Sequence, residues 1–344
     1  MTRKILLIYT GGTIGMKQDP STLSLKPFNF NQILEEVPEL KKFGYKIDTY
    51  SFDPLIDSSD VTPEFWVELA LLVKQKYNSY DGFVVLHGTD TMSYTASALS
   101  FMFTNLSKPV ILTGSQLPIG VLRTDGKENL ISSIEIAAAA NDRGEPMVPE
   151  VAIYFESQLY RGNRTTKNSA ENFRAFKSFN YSTLADVGIH IKYNTKNIIY
   201  PLTPNGNLEV STNLETNVAI LKIHPGITGI VMDSVLNNSN VKGVILETFG
   251  SGNAPTSDWF IERLKRGIRR GLIIVNVTQC QAGSVDMDAY ETGRRLKEIG
   301  VVSGYDITTE AALAKLFYLL GKGYDNERVK DMFKTNLRGE ISFN

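Results

Sequence analysis

Cysteine is nearly absent: the 344-residue chain carries one, Cys280, together with only three histidines and two tryptophans. A single thiol excludes an intrachain disulfide and any metal site built from several thiolates, and it fits a reducing compartment. An excess of charge is lacking too. Lys+Arg 36 stand against Asp+Glu 37, a formal net charge of -1, which removes the electrostatic case for nucleic acid or an anionic membrane as partner. No run approaches the roughly 18 to 20 apolar residues that span a bilayer. Arg3 and Lys4 precede only the short run Ile5 to Tyr9, too brief for a secretory leader, so a cytoplasmic protein is expected. Several easily recognised signatures are missing as well: H-E-x-x-H for a metal, G-x-S-x-G for a serine elbow, G-x-G-x-x-G and G-K-[ST] for nucleotides.

What is present is an ordinary globular composition, 42% hydrophobic and 21% charged, in a chain longer than one core usually supports. Two domains are expected: residues 1–195, a connection at 196–217 rich in Asn with Pro201, Pro204 and Gly206, and residues 218–344. Short apolar runs at Lys4 to Tyr9, Gly82 to Leu86, Pro109 to Leu112 and Val151 to Phe155 alternate with helix-like segments, the clearest at Thr62 to Tyr77. That alternation means α/β. A second α/β unit follows, with strands at Val218 to Ile223, Val241 to Glu247 and Gly271 to Val277 and helices near Thr256 to Arg269 and Thr308 to Leu320.

Three of the early runs end in hydroxyl-rich turns: Thr10-Gly11-Gly12-Thr13-Ile14-Gly15, His87-Gly88-Thr89-Asp90-Thr91 and Thr113-Gly114-Ser115-Gln116. Runs that are apolar throughout suit a parallel sheet buried on both faces, whose C-terminal edge opens onto a ligand crevice. Chemistry is therefore expected at Thr13 and Thr89, against the plainer reading that both only shape turns. A threonine hydroxyl is a poor nucleophile without a base, and Asp90 alone is too weak at neutral pH, whereas a desolvated lysine can serve. The string Tyr160-Arg161-Gly162-Asn163-Arg164-Thr165-Thr166-Lys167 admits three readings: a solvated loop, a phosphate-contacting loop, or the source of that base in Lys167. His87 is expected to pack at its strand end.

Taken together, T-G-G-T-I-G at 10 to 15, D-S-S-D at 57 to 60, H-G-T-D-T at 87 to 91, T-G-S-Q at 113 to 116 and Y-R-G-N-R-T-T-K at 160 to 167 resemble the bacterial cytoplasmic (type I) L-asparaginases. G-N-A-P at 252 to 255, T-Q-C at 278 to 280 and N-L-R-G-E at 336 to 340 extend the resemblance almost end to end. It implies a two-domain α/β fold, with a larger N-terminal domain around a mixed, mostly parallel sheet and a smaller C-terminal domain around a parallel one. It also implies hydrolysis of L-asparagine without metal or organic cofactor. Thr13 matches the nucleophile; Thr89, Asp90 and Lys167 match a second catalytic group, and Asp57, Ser58 and Ser59 match substrate-binding positions. By the same resemblance the chain forms a homotetramer of paired dimers in which Asn253 reaches a neighbouring site, and an effector site involves Thr166 and Cys280. One departure stands out, because Leu23 occupies the place of a loop tyrosine found in many relatives. Tyr290 is a candidate substitute, against the reading of a half-buried helix tyrosine.

Two alternatives remain at this stage. One is the asparaginase-like, ammonia-releasing subunit of a tRNA amidotransferase, disfavoured because the chain opens directly on its first strand and carries no basic excess. The other is a catalytically silent amino-acid sensor, disfavoured by intact Thr13, Thr89, Asp90 and Lys167.

Overall fold

The computed structural model describes residues 2–18, 25–27, 37–201 and 206–343. The chain divides into two compact units, Met1–Val210 and Ser211–Asn344. In the first, the described residues form a sheet from β1 (Lys4–Tyr9), β2 (Lys46–Ser51), β3 (Gly82–Leu86), β4 (Val110–Thr113), β5 (Val151–Phe155), β6 (Gln158–Arg161), β7 (Ala185–Val187) and β8 (Ile191–Tyr193), in the order β8-β7-β6-β5-β4-β3-β1-β2. The pairs β2-β1, β1-β3, β3-β4 and β4-β5 are parallel and the remainder antiparallel. β3, β4 and β5 are buried along their whole length, the reason their sequences are apolar without alternation.

Helices α1 (Pro63–Lys76), α2 (Met92–Met102) and α3 (Gly126–Ala138) connect these strands. α1 starts with proline, whose missing N–H costs nothing in a first turn, and buries Trp66, Leu69, Leu72 and Val73 at helical spacing. Thr62, at the N-cap position, makes no side-chain bond to a backbone N–H of the helix; its hydroxyl bonds the Glu64 carboxylate. What matters for function is the register. Tyr9 lies opposite Leu86, and Leu86 opposite Thr113, so the turns after β1, β3 and β4 leave the sheet side by side.

The solvated-loop reading of residues 160–167 does not hold. Tyr160 and Arg161 complete β6, and Arg161, Asn163 and Arg164 are buried. The Arg161 guanidinium donates to both oxygens of Glu150, at 2.7 and 3.2 Å, and to the Asn197 carbonyl at 2.6 Å. Ion pairing and stacking over the Tyr181 ring offset the desolvation that otherwise keeps arginine at the surface.

The second unit has an all-parallel sheet among its described residues, β9 (Val218–Lys222), β10 (Gly243–Thr248), β11 (Ile273–Thr278) and β12 (Val302–Ser303), in sequential order. Around it lie α4 (Gly229–Leu236), α5 (Asp258–Arg269), α6 (Glu291–Glu298), α7 (Thr309–Gly321) and α8 (Asn326–Lys334). Lys315 of α7, fully buried, donates to the Phe333 and Thr335 carbonyls, each at 2.7 Å, and to the equally buried Glu340 carboxylate. Glu340 also accepts from the N–H groups of Leu337 and Arg338, so N-L-R-G-E closes on α7 as a tail clamp. The larger mixed sheet and the smaller parallel sheet are the architecture expected from the sequence.

Candidate active site

Three chain segments interlock at the C-terminal edge of the first sheet. Thr10 donates to Leu86 O through both its N–H and its hydroxyl, each at 3.0 Å, which ties the first turn to β3. Gly12 then adopts φ +88°, and an added Cβ there would stand 2.6 Å from the Gly88 backbone. Only a glycine permits both the left-handed conformation and that approach. The consequence is that the turns bearing Thr13 and Thr89 touch through their glycines. Thr13 opens a 3-10 turn, Thr13–Gly15, and its hydroxyl makes no hydrogen bond among the described residues. Tyr9 packs beneath it, its ring filling the space left by Gly15 and its buried phenol, pushed well above the usual range, donating to Gly12 O at 3.4 Å.

The segment 57–60 joins through Ile56 N–H, which donates to Thr10 O at 2.9 Å, and through the Thr91 hydroxyl, which donates to Ser58 O at 2.6 Å. Ser58 is buried, with its Oγ 2.5 Å from where a Gly88 Cβ would lie. Asp57 caps the turn, its Oδ1 accepting from Ser59 N–H at 2.9 Å and Ser59 Oγ at 2.7 Å. Those bonds stabilise the anion and hold its carboxyl below the ordinary carboxylate range.

Lys167 arrives on the short hairpin of Thr166–Lys167 with Phe176–Lys177. Its Nζ stands 2.8 Å from Thr89 Oγ1 and 2.5 Å from Asp90 Oδ1. The lysine side chain is 18% exposed and that of Asp90 64%, so the amine is largely withdrawn from water while the carboxylate keeps a face open to it.

His87 is buried and takes no part in this contact. Its Nδ1 meets Gly88 O at 2.7 Å, an atom that only accepts, so that nitrogen carries the proton and Nε2 accepts from the Thr95 hydroxyl at 3.0 Å. Thr95 in turn accepts from Trp66 Nε1–H at 3.0 Å. Burial lowers the imidazole pKa from 6.5 to about 4, keeping it neutral. The expectation that His87 packs at its strand end holds, and it further fixes the carbonyl just ahead of Thr89.

The fold thus brings Thr13, Asp57, Ser58, Ser59, Thr89, Asp90 and Lys167 into one constellation. Thr166, partly buried, pairs with Lys177 on the same hairpin. Asn253, Tyr290 and Cys280 belong to the second unit: Asn253 bridges Phe249 and accepts from the Thr292 hydroxyl, Cys280 is exposed, and Tyr290 precedes α6 at 58% exposure rather than lying half-buried in a helix. Leu23 lies outside the described residues. Among the described residues no group of three or more His, Cys, Asp or Glu could hold a metal ion, and no helix is long and apolar enough to cross a membrane.

Comparison with known proteins agrees with this arrangement. A family model described as asparaginase, N-terminal, matches residues 4–199, and one described as glutaminase/asparaginase C-terminal domain matches residues 217–333. L-asparaginase 1 of Escherichia coli (strain K12) is 43% identical over 344 residues, covering 99% of this chain and 98% of that protein. A 60 kDa lysophospholipase of Homo sapiens is 40% identical over 363 residues, covering 99% of this chain and 62% of that protein. The crystal structure of L-asparaginase I from Vibrio cholerae O1 biovar eltor str. N16961 superposes with a TM-score of 0.90 at 42% identity, covering 100% of both chains. Matched in both halves and along its whole length, the chain belongs to the asparaginase family.

Proposed function

We propose that this chain hydrolyses L-asparagine to L-aspartate and ammonia through a threonine ester. The observation that carries the reading is the contact of Lys167 Nζ with Thr89 Oγ1 at 2.8 Å, the amine held from its other side by Asp90. A hydroxyl attacks an amide only when a base removes its proton. Thr13 Oγ1 adds to the side-chain amide carbon while its proton passes by way of Thr89 to Lys167. The adduct collapses, the C–N bond breaks, and the nitrogen leaves as ammonia with that proton. Water, activated by the same relay, then cleaves the ester. Backbone N–H groups of the glycine-rich turns are the natural donors to the oxyanion. The relative from Escherichia coli named L-asparaginase 1 supports the same substrate.

Ser58 and Ser59 suit the α-carboxylate, while ionised Asp57 and the second oxygen of Asp90 suit the α-ammonium as charge-assisted acceptors. These steps call for neither metal nor organic cofactor. The same reading includes a cytoplasmic homotetramer in which Asn253 completes a neighbour's site, Tyr290 as the phenol that stands in for the loop tyrosine, and an effector site at Thr166 and Cys280.

The test is ammonia release from asparagine by the purified chain alone. Thr13→Ala is expected to lose several orders of magnitude in turnover, beyond the roughly 10²- to 10⁴-fold of acid–base assistance, and to remain folded by circular dichroism. Mass spectrometry of a slow substrate is expected to place an acyl group on Thr13. An active Thr13→Ala enzyme would overturn its assignment. Release that requires tRNA would favour the amidotransferase subunit, and no release under any condition a silent sensor.

A further inference from the structure

T-G-S-Q follows β4 between the two threonine turns and α3, yet the proposed chemistry gives Gln116 no task. Its backbone is firmly placed. The Gln116 N–H meets both oxygens of the Asp125 carboxylate, at 3.1 and 2.9 Å, and the Leu117 N–H donates to the same group at 3.1 Å. Asn129, buried on α3, steadies the other side by donating to Gly114 O at 3.0 Å and to Asp125 at 3.3 Å.

From that anchored start the side chain reaches 54 and 56 residues along the sequence. Gln116 Nε2 donates to Ala170 O at 3.2 Å and to Asn172 O at 3.0 Å, using both amide hydrogens. The loop it grips is folded on itself: Ser169 Oγ accepts from the N–H groups of Glu171 and Asn172, Asn172 Oδ1 accepts from Arg174 N–H, and Asn168 and Ser169 both donate to Ala175 O. Among the described residues, the only hydrogen bonds joining 168–174 to anything outside this hairpin are the two from Gln116. On the far strand Phe176 is buried against Phe155, whereas among the described residues 168–170, just after Lys167, no side chain is buried.

We propose that Gln116 is a positioning residue whose carboxamide braces the loop after Lys167 and thereby sets the lysine amine against Thr89. The inference rests on the reading of Lys167 as the proton acceptor. A lysine head at the end of a flexible stem reaches a hydroxyl reproducibly only if its backbone origin is fixed. A misplacement of about 1 Å at a reacting group costs about 10²-fold.

The test compares Gln116→Leu, which removes both donors at similar volume, with Gln116→Arg, which restores N–H donors at this partly exposed position. For Gln116→Leu, amide hydrogen exchange across 168–175 is expected to speed up. Its kcat should fall about tenfold to a hundredfold while KM for asparagine stays within about twofold, because Asp57, Ser58 and Ser59 lie on another segment. Gln116→Arg is expected to recover much of both. Faster exchange with kcat unchanged would make the brace merely structural and overturn the proposal, as would a lower kcat with exchange unchanged. Exchange is read on the resting protein. If the wild-type chain released no ammonia, the functional reading would fall, while the exchange arm would still decide whether Gln116 holds the loop.

Discussion

Lys167 in the first unit and Lys315 in the second are both withdrawn lysines beside a carboxylate, and they are put to opposite uses. Lys315 and Glu340 are fully buried, and every donor of the ammonium has a fixed acceptor: two carbonyls and one carboxylate. Burial pulls the amine's pKa down while Glu340 pulls it back up. Such a saturated pair has nowhere to send a proton. Lys167 instead faces one carboxylate that is 64% exposed and one hydroxyl, and a hydroxyl both accepts and gives a proton. The lesson is that completeness of the acceptor set, more than depth of burial, separates a lysine that fastens a fold from one that can pass a proton.

Lys167→Met is the sharpest way to break that contrast. It keeps most of the aliphatic stem and removes the base, so kcat is expected to drop by about 10²- to 10⁴-fold with the unfolding midpoint unchanged. A variant with near-wild-type turnover would return Lys167 to the same class as Lys315. The mirror experiment is Lys315→Met, which strands Glu340 in the interior. A loss of about 3 to 5 kcal/mol is expected in denaturant titrations, with normal kcat for the molecules that remain folded. Adding Glu340→Gln to that variant removes the stranded charge and should restore part of the stability.

A smaller effect comes from His87, which extends the comparison to a third buried group. Its folded pKa is about 4 against 6.5 for the free side chain. Between those values the unfolded chain takes up a proton that the folded chain refuses, so stability is fully present above pH 6.5 and is lost as pH falls toward 4. The slope approaches about 1.4 kcal/mol per pH unit, or about 3 kcal/mol across the window. Unfolding midpoints from pH 7 to 4 should show it, and His87→Gln should flatten that limb. A variant as acid-sensitive as the parent would place the titration elsewhere.

The parts of the site legible in the sequence were those written locally. Tyr9, Leu86 and Thr113 end apolar runs, and a run that is short, β-branched and apolar on both faces suits a covered strand, so the turns beyond them were readable as one rim. Asp57 to Ser59 became readable through family resemblance alone, and Lys167 stood locally as one of three readings of its string, since nothing local says that D-S-S-D or T-T-K approaches that rim. The buried state of Arg161 was hidden because its compensation, Glu150 and the Tyr181 ring, comes from other strands and loops. Gln116 was visible as part of a motif, but its contacts at 170 and 172 depend on a hairpin whose path the sequence does not disclose. Of the two readings of Tyr290, the half-buried helix tyrosine fails because the residue stands just ahead of the first turn of α6, where it is exposed.

The stacking of Gly12 on Gly88, and of Gly88 on Ser58, has a consequence for anyone who would recast this site by directed evolution. Each position is blocked by the next at about the width of a methyl group, with added Cβ atoms meeting their neighbours at 2.6 and 2.5 Å. A library that varies Gly12 alone samples mostly collapsed pockets, since two backbones would have to part and carry their threonines with them, and one that enlarges Gly88 alone runs into the Ser58 side chain. Productive diversity lies in side chains that point away from the stack, such as Ser59, or in mutations drawn at 12, 58 and 88 as a single linked choice.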